Sequence, residues 1–177
     1  GAGTFTPGTS TLKMTGAGAS LNYLSGEILS NLDIANTSGT VTASVLTGTN
    51  NLTVSSLTVE GSGGSFTAPA GTLTINSYAP SGDPIIFGIK SGGTYVHSSG
   101  TVEVTTAANS KWIYDIGSGN INNLTLNYSG YTNEIAAALT IDGNLTITAG
   151  TFTTSGSNYA LTVTGDASVT GTLTGNA

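Results

Sequence analysis

The chain contains no cysteine, no arginine and no glutamine, and it carries one histidine, one methionine and one tryptophan. Without cysteine, neither a disulfide framework nor a thiolate metal centre can form. Three lysines stand against nine carboxylates, giving a formal net charge of −6. No cationic cluster exists to displace counterions from phosphates, so nucleic acid is not an expected partner. With a single imidazole, His97, a metal ligand set or a catalytic triad would have to be built around one ring. Ser98 and Ser99 beside it supply neither a third group nor an oxyanion hole. The plainer reading makes His97 a corner residue closing the strand that starts at Gly93. No apolar run approaches the ~20 residues of a membrane span. Met14 is the only methionine, so processing or cutting of a longer protein is expected to have produced the N-terminus, and any signal peptide is out of view.

What is present is a 177-residue chain, 37% hydrophobic, long enough to bury a core and rich in Gly, Ser, Thr and Asn. Its dominant pattern is alternation over four to six residues, as in Thr72-Leu-Thr-Ile75, Asn123-Leu-Thr-Leu126 and Asn144-Leu-Thr-Ile147. Period two with Thr and β-branched residues predicts strands with one buried and one wet face. Glycine, serine and asparagine between them predict turns. Only Glu134-Ile-Ala-Ala-Ala-Leu139 suggests a helix, and it is too short. The fold class is therefore all-β.

Two periods overlap. Gly3–Ser20 aligns with Gly93–Ser110, pairing Phe5 with Tyr95, Leu12 with Val102 and Met14 with Val104. Asn31–Ile34 matches Asn123–Leu126, Asn51–Val54 matches Asn144–Ile147, and Gly64–Thr67 answers Gly150–Thr153. This predicts two copies of a unit of roughly 90 residues, 1–92 and 93–177, continuous in one structure. Within it, leucines 12, 32, 52 and 73, then Val102, Leu124 and Leu145, recur mostly every 20 to 22 residues, the length of one solenoid coil. The expected fold is a right-handed parallel β-helix of about eight coils, roughly 40 Å long at ~4.8 Å per coil. Tyr78–Pro84, with two prolines, reads as a loop leaving the rod. The competing architecture is a tandem pair of immunoglobulin-like β-sandwiches, whose domains are of similar size.

Candidate chemistry is sparse. The carboxylates fall mostly singly, whereas glycan cleavage needs two converging acids. The chain is accordingly read as non-enzymatic, with no cofactor and no metal; Asp142 and Asp166 offer too few oxygens for a dedicated calcium site. Lys111-Trp-Ile-Tyr-Asp-Ile116 places Trp112 and Tyr114 on one face, a glycan-stacking platform if exposed and core if buried. Asn36, Asn51, Asn123, Asn127 and Asn144 head Asn-x-Ser/Thr sequences and are candidate glycosylation sites. In Asn51, Asn123 and Asn144 the asparagine has a second reading, as a corner residue of the Asn-Leu-Thr repeat. Thr-x-Thr motifs at 4–6, 40–42, 72–74, 151–153, 162–164 and 172–174 suggest water-ordering, ice-binding rows, but they are expected on different strand types. In 143–165, threonines are expected to face water, with Leu145, Ile147, Phe152, Leu161 and Val163 inside.

The combination of Gly3-Thr-Phe-Thr6, Gly93-Thr-Tyr-Val-His-Ser-Ser-Gly-Thr-Val-Glu-Val104, Asn122-Asn-Leu-Thr-Leu-Asn127 and Gly143–Phe152 resembles the large secreted β-strand-repeat proteins of bacterial surfaces. More loosely it is similar to the β-helical adhesin passengers of filamentous haemagglutinins and autotransporters. The resemblance implies export, a right-handed parallel β-helix, and a structural or adhesive role at the cell exterior. It brings no catalytic residues. The sequence opens and closes in mid-pattern, so the expected partners are flanking repeats of a longer chain or further copies stacked head to tail, with surface glycans as a second class.

Overall fold

The computed structural model describes residues 8–24, 26–45, 49–60, 63–76, 86–90, 92–105, 110–112, 119–154 and 157–175. Its seventeen strands are β1 (Thr11–Met14), β2 (Ser20–Tyr23), β3 (Ile28–Ile34), β4 (Val41–Val45), β5 (Leu52–Val59), β6 (Ser65–Thr67), β7 (Thr72–Ile75), β8 (Phe87–Ile89) and β9 (Thr94–Val96), followed by β10 (Thr101–Val104), β11 (Ser110–Trp112), β12 (Asn123–Ile135), β13 (Leu139–Ile141), β14 (Leu145–Thr153), β15 (Leu161–Val163), β16 (Ala167–Val169) and β17 (Thr172–Thr174). No helix occurs among the described residues, so none is long and apolar enough to cross a membrane. Pairings between named strands are parallel, each pair separated by the rest of a coil. The molecule is a β-solenoid of about six turns. The 134–139 segment ends β12 and turns a corner into β13.

Eleven strands make one long sheet; β2, β4, β6 and β9 make a second, and β13 pairs with β15. The long sheet has two halves. Leu52–Val54 of β5 pairs with β7, whereas Leu57–Val59 of the same strand pairs with β8. In the first half, one inward row runs Leu52, Leu73, Val102, Leu124, Leu145, Ala167. The next runs Leu29, Val54, Ile75, Val104, Leu126, Ile147, Val169. In the second half Leu12, Leu32, Leu57 and Phe87 stack. In these rows aliphatic side chains mostly lie over aliphatic ones, which is how a narrow coil reaches close packing. On the opposite wall Val41, Phe66 and Tyr95 stack, and the Tyr95 ring meets Phe87 edge-on at 5.3 Å, tying the two sheets together.

The register puts only some of the aligned residues in shared columns. Leu12 and Leu32 stack with Leu57, while Val102, expected to be the counterpart of Leu12, stacks with Leu73 and Leu124. Phe66 lies in the second sheet and Phe152 in the long one. Of the residues matched about 90 apart, Leu12 and Val102, Leu32 and Leu124, and Phe66 and Phe152 therefore stand in different columns, whereas Leu52 and Leu145 share one; the unit that stacks is the coil. Equivalent residues are 21 apart from Leu52 to Leu73 and from Leu124 to Leu145, and 22 from Val102 to Leu124. From Leu73 to Val102 the step is 29. The extra length includes the Tyr78–Pro84 segment, which lies outside the described residues. Longer steps of this kind are why the chain makes about six turns instead of eight.

Candidate functional site

Three of the asparagines that head glycosylation-like sequences form a ladder at one corner. Asn51 Oδ1 accepts the Thr72 N–H at 2.8 Å, Asn123 Oδ1 that of Asn144 at 2.9 Å, and Asn144 Oδ1 that of Asp166 at 2.9 Å. A glycine precedes each acceptor's partner in the Gly71, Gly143 and Gly165 positions, where a Cβ would overlap the asparagine oxygen. The recurring Asn-Leu-Thr pattern, facing a glycine in the next coil, thus encodes a hydrogen bond between coils. Asn36 is fully buried: its Nδ2 donates to the Ser38 and Gly39 carbonyls at 3.0 and 2.7 Å, and its Oδ1 accepts the Ser65 N–H at 3.3 Å. The folded chain leaves no room for a glycan there. Asn127 is exposed.

Charges pair across coils on the second half of the long sheet. Lys13 Nζ meets Asp33 Oδ2 at 2.8 Å, and Lys90 meets both Glu60 oxygens at 3.0 and 3.1 Å. The hydrogen bond and charge of Asp33 hold the Lys13 ammonium above its usual range. On the first half, the outward row is Thr53, Thr74, Glu103, Thr125, Thr146, Ser168. Threonines stack more regularly there than the sequence suggests, with Glu103 breaking the row. Of the Thr-x-Thr motifs, 151–153 and 172–174 stack directly in the second half, and 72–74 lies in the first.

His97 occupies a corner, as expected. The Gly100 N–H donates to the His97 carbonyl at 2.8 Å across Ser98 and Ser99, both in the left-handed region. The Ser99 N–H donates to Nδ1 at 2.9 Å, which places the proton of the neutral ring on Nε2, 3.5 Å from Asp142 Oδ2. Asn120 donates to both Asp142 oxygens. Three successive turns contribute, but one imidazole and one carboxylate do not make a triad or a metal cage, and no group of three or more potential ligands occurs among the described residues. Trp112 is in register with Ile135; Tyr114 lies outside the described residues, as do Asp83 and Asp115.

One concavity among the described residues was not anticipated. Leu126, Ile147 and Val169 are register equivalents in the first half of the sheet, and Thr132, Thr151 and Thr172 in the second. Between them lie five residues in one coil (127–131), three in the next (148–150) and two in the last (170–171). The corner retreats step by step and leaves a recess of about 330 Å³ lined by Gly130, Tyr131, Thr132, Gly150, Thr151, Thr170, Gly171 and Thr172. Gly150 has φ +84°, and a Cβ there would overlap the Tyr128 ring and carbonyl. That ring is buried, and its hydroxyl donates to the Thr151 carbonyl at 3.2 Å. Burial pushes the Tyr128 phenol up to about 12. The sequence signal was Tyr128-Ser-Gly-Tyr131, an aromatic pair around a turn glycine inside a strand.

Against this geometry, comparison with protein-family models, with curated proteins and with solved structures finds no match.

Proposed function

We propose that the chain is a non-enzymatic structural segment of the cell exterior, part of a filament or stalk in which coils continue by further chain or by head-to-tail stacking of copies. The observation that carries this reading is the state of the last turn. Val104, Leu126 and Ile147 are fully buried, but Val169, next in the same row, is 44% exposed. Phe152 is fully buried, and Leu173 above it is 41% exposed. Core rows that run on in register to an uncovered apolar cross-section, bordered by the edges of β15, β16 and β17, form a template for one more coil. The lysine–carboxylate pairing and threonine rows support a wall rather than a catalytic centre. The resemblance to bacterial surface repeats supports the exterior location and an adhesive alternative.

The test is self-association of the chain against the Leu173→Lys variant, followed by sedimentation velocity over a range of concentrations. The expected outcome is concentration-dependent elongated species for the parent and monomers for the variant, with unchanged circular dichroism in both. Monomers at every concentration for both proteins would remove the stacking reading.

A further inference from the structure

We infer that Asp142-Gly143 is a latent site of succinimide formation, a self-modification of the backbone, and that Asn120 and Asn122 on the neighbouring coil hold it shut. The inference does not rest on what covers the last turn, because this corner has a coil on either side. The Gly143 N–H donates to the Asn122 carbonyl at 2.7 Å, and the Gly143 carbonyl accepts the Gly165 N–H at 2.9 Å.

Sequence singles out the place. Of all the asparagines and aspartates in the chain, Asp142 alone is followed by glycine. In such a pair the glycine nitrogen can reach the side-chain carboxyl carbon of the residue before it, since no Cβ stands in the way and the glycine backbone turns freely. The fold demands glycine there, because a Cβ at 143 would overlap the Asn123 oxygen that accepts the Asn144 N–H. The ladder between coils thus installs the reactive pair. Asp142 is exposed, so water has access to the carboxyl group.

The reaction balances without a second substrate. Gly143 N bonds to Asp142 Cγ, the Cγ–OH bond of the protonated carboxyl breaks, and the amide proton and the hydroxyl leave as water. Water then opens the cyclic imide at either carbonyl. Opening at Cγ restores aspartate; opening at the main-chain carbonyl gives isoaspartate, whose backbone runs through the former side chain.

Two sets of contacts oppose this in the folded chain. The Asn120 amide donates to both Asp142 oxygens, at 2.9 and 3.1 Å, and His97 Nε2 lies 3.5 Å from Oδ2, so the carboxylate is anchored to the preceding coils. The attacking nitrogen has its proton committed to Asn122, whose own amide is tied to the Ser99 carbonyl at 2.9 Å. Parting of the coils at this corner frees both reacting atoms together. Isoaspartate then lengthens the backbone between β13 and β14 by one methylene, and the Asn144 N–H no longer meets Asn123 Oδ1, so the modification makes the parting permanent.

The experiment is isoaspartate analysis at residue 142 of the full chain, by peptide mapping with electron-transfer fragmentation, after incubation at neutral pH and body temperature. The chain held in urea should isomerise at least about tenfold faster than the native chain, because the native corner reacts only when it opens. Asn120→Ala, at an exposed position, should raise the native rate about fivefold, the factor one hydrogen bond carries, with unchanged circular dichroism. Asn51→Ala removes a bond between coils at a distant level of the rod and should isomerise at the parental rate, which separates the lock from general loss of stability. Equal rates in the native and urea-held chains, no isoaspartate at 142 in urea, no acceleration by Asn120→Ala, or equal acceleration by both variants would overturn the inference.

Discussion

At the scale of single residues, two asparagines predict opposite outcomes. Asn144 joins coils through the Asp166 N–H at a water-exposed corner, so Asn144→Ala should cost about 1 kcal/mol. Asn133 is 1% exposed, in register with Ser110 and Phe152, and its amide atoms have no hydrogen-bond partner among the described residues. The Tyr128 hydroxyl gives its proton to the Thr151 carbonyl, so toward Asn133 it can only accept, and the nearness of the amide acts to lower the phenol's pKa without a bond of full geometry. Asn133→Leu should therefore raise stability by about 1–3 kcal/mol, the usual cost of an unsatisfied buried polar group. Urea midpoints measure both; a fall on Asn133→Leu would mean the amide is bonded after all. The Asn-Leu-Thr repeat was readable as a corner because Asn, Gly and Thr each have one favoured role there. Asn36 was not, since it stands outside that repeat, in Ala35-Asn-Thr-Ser-Gly39, and its place inside a corner depends on the following Ser38 and Gly39 carbonyls.

At the scale of elements, alternation placed β5, β7, β10, β12 and β14 and the burial of Leu145, Ile147 and Phe152, while Leu161 and Val163 near the open end are only half buried. Local pattern has period two and says nothing about which half of the long sheet a strand joins. For that reason Leu12 was matched with Val102 although they stack in different columns. The recess was hidden for a related reason: it results from a difference in corner length between three successive coils, visible only once register is known. The aromatic rows of these elements also set the response to alkali. Burial raises the Tyr128 phenol to about 12 and the Tyr95 phenol further still. An unfolded tyrosine ionises near 10, so from about pH 10 upward the unfolded chain releases protons that the folded chain holds. Stability should be level below about pH 10 and fall as pH rises through 12, with the slope reduced in Tyr128→Phe. Denaturation midpoints at increasing pH check this; native phenols that all titrate near 10 would contradict it.

At the scale of the molecule, the long sheet is a column of inward rows in which each coil covers the one before. Such stability is nearly a sum of neighbour terms, and a terminal coil that lacks a neighbour is its weakest member. Val169 and Leu173 mark that coil, and we propose that in the working assembly another coil covers them. High-resolution electron microscopy of the associated material tests this most directly. The prediction is a rod with strands perpendicular to its axis and a coil repeat of about 4.8 Å that passes the Leu173 edge without interruption. Separate short rods, or contacts made through their flanks with the Val169 and Leu173 edge still open to solvent, would contradict it.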